Sequence, residues 1–309
     1  MLPHFRSPVF LAPMAGVTNV SFRLLCQRFG AGLTGTEFIS ARGILHENEK
    51  TLRMIDVGAD ERPVFIQLFG DDVRSLTSAL AIVEPRCDMV DLNMGCPAVK
   101  IYDSGCGSAL LAQPGKVKEM VSSLVSVASK PVTVKIRTGL HEKAITAVTI
   151  AQICENAGAA MITVHGRTRS QRYSGIANLD HIKAVKDAVS IPVAGNGDIC
   201  SGPTAAHMMA STGCDYVVVG RAALGDPHIF TRINHYLCTG EELPLLSCDA
   251  KMALLREYFS LCAQFELDSV AHLKVATQQF LKGFSGAAQL RGQMNTLQTK
   301  EEILGLLPC

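Results

Sequence analysis

No apolar run in this 309-residue chain reaches the roughly 18 residues that a membrane-spanning helix needs. An excess of one charge is also lacking: 29 Lys and Arg stand against 28 Asp and Glu, for a formal net charge of +1. No global field therefore draws polyanions, and a nucleic-acid partner would have to meet locally arranged basic residues. The 11 cysteines include no Cys-x-x-Cys pair, which argues against zinc and iron–sulfur centres. Cys26, Cys154 and Cys262 fall in apolar helical patterns, where a thiol acts as a small hydrophobe. A disulfide framework is not expected in a chain of this kind. Met1-Leu2-Pro3-His4-Phe5-Arg6 lacks the layout of a secretory signal. The expectation is a cytoplasmic protein with no membrane association, no metal and no obligate protein partner. Tryptophan is absent too, and that excludes nothing.

What remains is ordinary globular composition, 48% hydrophobic and 18% charged, long enough for one large domain with a small one attached. Eight short apolar runs recur. They are Val9 to Ala12, Leu33 to Thr36, Val64 to Leu68, Met89 to Leu92, Val132 to Ile136, Met161 to His165, Pro192 to Ala194 and Tyr216 to Val219. Near-continuous apolar strands separated by helical patterns predict a parallel sheet covered on both faces. Eight of them predict an α/β fold, a (β/α)8 TIM barrel. Helices are predicted from Val117 to Ala128, from Ala144 to Ala157 with Gly158 beyond, and from Ser201 to Ser211 with Gly213 beyond. The long segment between the fourth and fifth strands reads as a functional loop. The pattern changes near Cys238-Thr239-Gly240, and helices are predicted over Met252 to Phe265, Val270 to Phe284 and Glu301 to Leu307. The predicted division is a barrel over residues 1–240 and a C-terminal helical domain over 241–309.

The C-terminal ends of the runs carry the polar residues, and in a parallel barrel that end holds the chemistry. Asp91-Leu92-Asn93-Met94-Gly95-Cys96-Pro97 reads as a strand that stops abruptly, with the Cys96 thiol presented on an exposed loop. A thiol there donates a proton, or attacks if activated; an inert buried cysteine is the plainer alternative. Lys135 sits inside a strand. It serves a Schiff base, a flavin's polar edge, or an ion pair with Glu37 or Asp91; the amide of Gln67 favours the flavin. His165 has no second His and carboxylate set spaced to join it at a metal, and reads as a flavin or substrate contact. Gly195-Asn196-Gly197-Asp198 and Gly220-Arg221 follow the seventh and eighth runs, where barrels commonly bind phosphate through backbone N–H groups. Cys106, in another Gly-flanked turn, reads as a spectator.

These residues resemble the tRNA-dihydrouridine synthases, with a flavour closest to the bacterial B-type subgroup. The resemblance rests on Leu11-Ala12-Pro13-Met14-Ala15-Gly16-Val17-Thr18, Val90 to Pro97 followed by Lys100, and Val134-Lys135-Ile136-Arg137-Thr138-Gly139. Val164-His165-Gly166-Arg167-Thr168, Asn196-Gly197-Asp198-Ile199 and Val219-Gly220-Arg221-Ala222 follow in family order. Asn19 stands where the family often has Asp. The resemblance implies FMN as cofactor, NADPH or NADH as reductant and tRNA as partner. Pro13, Met14 and Ala15 would meet the flavin ring through main chain; Gln67, Lys135 and His165 would reach its edge; Asn196, Gly197, Asp198, Gly220 and Arg221 would hold the ribityl phosphate. Hydride would pass from the flavin to carbon 6 of uracil and Cys96 would protonate carbon 5. Asn93 would contact the flavin or the target nucleotide.

A base buried in folded tRNA must be extruded to reach such a site, which requires phosphate contacts around the mouth. Lys100, Arg137, Arg167, Arg169 and Arg172 follow strand ends on that side. From Val270 to Thr299 there is no Asp or Glu, but His272, Lys274, Lys282 and Arg291 are present, a stretch suited to an RNA backbone. Rival readings are an FMN-dependent reductase of free pyrimidines, similar to the dihydroorotate dehydrogenases, an RNA-binding flavoprotein without turnover, and an aldolase using Lys135.

Overall fold

The computed structural model describes residues 1–282 and 287–306. Eight strands run parallel: β1 (Val9–Leu11), β2 (Thr34–Ser40), β3 (Val64–Phe69), β4 (Met89–Met94), β5 (Val132–Arg137), β6 (Ile162–His165), β7 (Val193–Asn196) and β8 (Tyr216–Val219). From β2 onward each pairs with the next in chain order, and β8 pairs with β1, Phe10 opposite Val218. The gap between β1 and β2 is bridged at Phe10 and Leu33, where Leu11 N donates to Leu33 O at 2.9 Å. This is the predicted TIM barrel.

Strand parity decides what faces where. Successive side chains point to opposite faces, so Val132, Val134 and Ile136 join the helix-covered shell while Thr133, Lys135 and Arg137 take the inner face. The register aligns these inner positions around the barrel: Asp91 beside Thr133, Asn93 beside Lys135, Arg137 beside His165, His165 beside Asn196. Phe10, Leu33, Phe65, Met89, Met161 and Val218 form a separate apolar cluster that plugs the lower interior. Above it come Gln67, Asp91 and Thr133, then Asn93, Lys135, His165 and Asn196. Polar groups are thus stacked toward one open end, where a ligand or water satisfies them.

The Pro114–Val127 helix buries Val117, Met120, Val121 and Leu124, one stripe at helical spacing. The Gly202–Thr212 helix begins at a Ser201–Thr204 capping box and ends at Gly213 with φ of 70°, as the sequence predicted. Three expectations are corrected. The helix predicted from Ala144 starts at Ala147, because Ala144–Ile145 pairs antiparallel with Gly139–His141. Gly139 permits that approach: a Cβ there would lie 2.0 Å from Ala144 O. The segment after β4 is not an open loop, since it folds into a Val99–Asp103 helix and a Gly107–Ala112 3-10 turn. β2 also runs further than predicted, through a bulge between Gly35 and Phe38 that re-aims the strand end.

The Ile229–Thr239 helix stops at Gly240, whose φ is 78°. Residues 241–247 carry no regular structure, and the helices Cys248–Gln264, Val270–Phe280, Ala287–Met294 and Lys300–Leu306 follow. The predicted ends Phe284 and Leu307 lie outside the described residues. The Cys248–Gln264 helix packs on Val20–Arg28, with Tyr258 edge-on to Phe22 at 6.2 Å and Arg28 paired to Glu257.

Candidate active site

The open end of the barrel holds a cavity of about 760 Å³. Its walls come from β2 at Phe38 and from the ends of β1 and β4 to β8 with the loops that leave them.

One wall is built around Asn93. Its Oδ1 accepts Gly95 N at 3.3 Å and Cys96 N at 3.0 Å, which folds the chain back after β4. Its Nδ2 donates to Gln67 Oε1 at 2.8 Å, Gln67 Nε2 donates to Asp91 Oδ2 at 2.7 Å, and Thr133 Oγ1 donates to Asp91 Oδ1 at 2.6 Å. Burial pushes the Asp91 carboxyl up to about 6. Gln67 is fully buried and its amide is committed to Asp91 and Asn93; among the described residues it shapes the cysteine turn and does not line the cavity. Ser108 closes the turn from the other side, donating N–H and Oγ–H to Cys96 O at 3.2 and 2.8 Å.

Cys96 lines the cavity but is only 9% exposed, which corrects the expectation of an exposed loop. The thiol is recessed, and burial pushes it up while Arg137 and Lys135 pull the other way. It is therefore protonated at neutral pH. Cys106 is buried with Sγ directed at Ser104 O, 3.7 Å away.

Beside Cys96 stand the cations, with Lys135 next to Asn93 on the neighbouring strand and Arg137 bonded to Gly95 O. Lys135 Nζ donates to Asn196 Oδ1 at 3.3 Å, and Asn196 Nδ2 donates to Val218 O at 2.7 Å. Burial, and next Arg137, lower Lys135 to about 8, against the upward pull of Asp91. No ion pair to Glu37 or Asp91 forms: the Asp91 oxygens take Thr133 and Gln67, and Glu37 Oε2 accepts Gly16 N at 2.6 Å. That bond, with Thr18 Oγ1 accepting Met14 N at 3.1 Å, sets the Pro13–Gly16 loop, and Pro13, Met14 and Ala15 line the cavity. His165 is 8% exposed; burial first, then Lys135 and the three nearby arginines, drive its pKa far below the usual imidazole value. It is a neutral ring.

The far end has the makings of a phosphate cradle. Gly197 adopts φ of 144°, and a Cβ there would lie 2.5 Å from Ala177 Cβ, so only glycine fits. Asp198 Oδ2 takes Ala177 N and Arg167 Nη2, each at 2.8 Å, and Arg221 Nη2 lies 3.5 Å from Oδ1. Gly220 and Arg221 complete that end. Arg167 also lines the cavity and keeps Nη1 buried without a partner. A cavity of this volume, with a main-chain wall, a cationic edge and a Gly-bearing cradle for an anion, suits a flavin.

The expected rim is partly corrected. Arg137 and Arg167 are each 2% exposed. Arg137 Nε donates to Gly95 O at 2.9 Å and Nη1 to Thr168 O and Arg172 O at 2.8 Å; Arg167 donates to Ser174 O at 3.0 Å and Gly175 O at 2.6 Å. Their long side chains reach inward to buried carbonyls instead of outward to phosphates, and they staple the loop after β6. Lys100 and Arg172 are exposed, and Arg169 lies with its guanidinium 3.5 Å over the Tyr102 ring.

None of the C-terminal basic residues lines the cavity. His272 is tucked against the barrel, its Nε2 2.8 Å from Tyr258 Oη and 3.4 Å from Asn19 Nδ2, and burial lowers its pKa. Asn19 also donates to Tyr258 Oη at 3.0 Å, so His272 acts as packing between helix and barrel. Lys274 Nζ donates to Asn295 O at 3.3 Å; Lys282 is exposed and Arg291 half-buried.

Sequence reasoning missed Tyr173, which lines the cavity with Arg221 4.9 Å and Arg137 5.8 Å from its ring. An aromatic in the polar Arg169 to Gly175 segment just past a strand end was the available signal. Phe38, delivered by the β2 bulge, was missed too.

The family model described as "Dihydrouridine synthase (Dus)" matches residues 10–308. The chain is 41% identical over 298 residues to tRNA-dihydrouridine synthase B of Pseudomonas putida, covering 95% of this chain and 88% of that protein. It is 39% identical over 309 residues to tRNA-dihydrouridine synthase B of Klebsiella pneumoniae, covering 98% and 95%. Among solved structures, histamine dehydrogenase from Rhizobium sp. 4-9 superposes with a TM-score of 0.59 at 13% identity, over 84% of this chain and 50% of that one; that likeness is one of fold.

Proposed function

The chain belongs to the dihydrouridine synthase family, and on that premise we propose that it reduces uridine in tRNA to 5,6-dihydrouridine at the cavity described above. The observation that carries the reading is that a recessed thiol and a buried lysine line one cavity whose other end holds the Gly197 and Gly220 turns and Arg221.

Lys135 and His165 would hold the polar edge of an FMN, Pro13 to Ala15 would face its ring, and Gly197, Gly220 and Arg221 would hold its phosphate. Bound there, an FMN would supply the hydride for carbon 6 of the uracil, with NADPH or NADH as its reductant. Cys96 Sγ holds the proton for carbon 5. Burial keeps that proton on sulfur until it is needed. The thiolate left behind lies near Arg137 and Lys135, which lower its cost. Asn93 keeps Cys96 in place through its two backbone bonds, and the apolar floor keeps water from entering from below.

The helices beyond residue 240 are the proposed tRNA-binding domain, with Lys274, Lys282 and Arg291 as backbone contacts. Among the described residues no helix is long and apolar enough to cross a membrane, and a tRNA substrate supports a cytoplasmic location. The test feeds the reduced flavoprotein either unmodified tRNA or free uracil and uridine. Flavin reoxidation by tRNA with dihydrouridine formed is expected; rapid reoxidation by the free pyrimidines alone would replace this reading with a free-pyrimidine reductase.

A further inference from the structure

Beside the main cavity lies a second recess of about 540 Å³, bounded by Pro97 and the Arg169 to Ser174 segment. The two share Pro97 and Tyr173, so the recess opens next to Cys96. Its walls contain no carboxylate. Arg169 stacks on Tyr102 and keeps Nε buried without a hydrogen-bond partner. Arg172 is exposed, and its backbone is held at φ of 51°, a conformation that a non-glycine residue adopts only where its surroundings impose it. What imposes it is visible: Arg137 clamps the carbonyls of Thr168 and Arg172, and Arg167 clamps those of Ser174 and Gly175. The recess is a preset surface of two cations and one aromatic ring, Tyr173, which is 56% exposed.

We propose that this recess takes the nucleotide adjacent to the target uridine, with its phosphate on Arg169 and Arg172 and its sugar or base against Tyr173 and Pro97. The inference rests on the tRNA reading above and goes beyond it by naming a subsite. An extruded base carries its own backbone to the mouth, so a neighbouring phosphate must cross the rim, and this is the cationic recess that meets the cavity beside the thiol. Cations position a phosphate and an aromatic face accepts any base. The subsite therefore sets the path of the strand and leaves the sequence on that side free.

The test uses a tRNA carrying the mapped target uridine and, in turn, an uncharged methylphosphonate linkage on either side of it. For the unaltered protein one of the two linkages weakens binding roughly tenfold, the loss expected of one charge-assisted contact. In Arg172→Gln or Arg169→Gln the same linkage costs less, and with both arginines replaced it costs nothing further, because both partners are gone. Each variant also shows a salt dependence about one unit shallower, and Arg172→Lys restores the slope. Flavin content verifies an intact barrel in each variant. Additive losses from linkage and substitution would overturn the subsite, placing these arginines on a distant phosphate or none. If the unaltered protein reduces no uridine in any tRNA, the functional reading itself fails, and that outcome is told apart before any variant is made.

Discussion

Cys96→Ala separates chemistry from architecture. The substitution removes one sulfur atom from a residue 9% exposed. The bonds that fix the turn, Asn93 Oδ1 to the N–H of Gly95 and Cys96 and Ser108 to the Cys96 carbonyl, use the backbone and are kept. Only the contact of the Ala98 backbone with the sulfur is lost, so the stability cost is about 1 kcal/mol. The proton donor is lost, and the neighbouring Arg137 guanidinium does not replace it, being tied to three carbonyls. Loss of a positioned general acid slows the step by about 10² to 10⁴, or roughly 3–5 kcal/mol of barrier. The assay reduces the bound flavin anaerobically, adds unmodified tRNA, and follows flavin reoxidation and dihydrouridine together. The expected variant is yellow, melts close to the unaltered protein and binds tRNA, yet forms product more slowly by that factor. A variant that turns over within about tenfold of the unaltered protein would refute the assignment, and so would one whose lost activity tracks lost flavin.

Other consequences follow from the buried charges and caps. Lys135 is lowered to about 8 by burial, so its charge is present below that pH and lost above it; flavin reduction should slow as pH rises through about 8, and Lys135→Arg, which stays charged, should shift that fall upward. Arg23 and Glu61 form an ion pair with side chains 1% and 0% exposed. Arg23→Met strands the carboxylate and should cost about 3–5 kcal/mol in urea unfolding, while Arg23→Met with Glu61→Leu should recover most of it. Asn19 caps the Val20–Arg28 helix through Phe22 N and donates to Tyr258. Asn19→Ala should cost about 1–2 kcal/mol, and Asn19→Asp less, because the cap acceptor remains; thermal unfolding of both checks the order.

The barrel was legible because a parallel sheet covered by helices needs apolar strands, and those strands were plain in the composition. A finer signal went unused. In Val132 to Arg137 the apolar residues alternate with Thr133, Lys135 and Arg137, and that parity already separated shell from interior. Cys96, Lys135 and the two glycine turns were legible as strand-end chemistry. Three things were not. Whether an arginine points to solvent or back to carbonyls depends on where a distant loop passes, so Arg137 and Arg167 read as rim residues. Gln67 sits one layer below the cavity, a depth set by stagger between strands that a single strand does not reveal. His272 lies on a helix with no acidic residue, yet it faces Tyr258 and, across more than 250 positions, Asn19, a contact that periodicity does not encode.

The proposed reaction at this cavity adds two hydrogens to a uridine held in tRNA. The direct measurement is mass analysis of a nuclease digest after an unmodified tRNA is incubated with the flavin-loaded protein and NADPH. The account predicts that a uridine at a defined position gains the mass of two hydrogens, and that it fails to do so when Cys96 is replaced by Ala. Protein that holds flavin and consumes NADPH while every uridine in every tRNA keeps its original mass would contradict it.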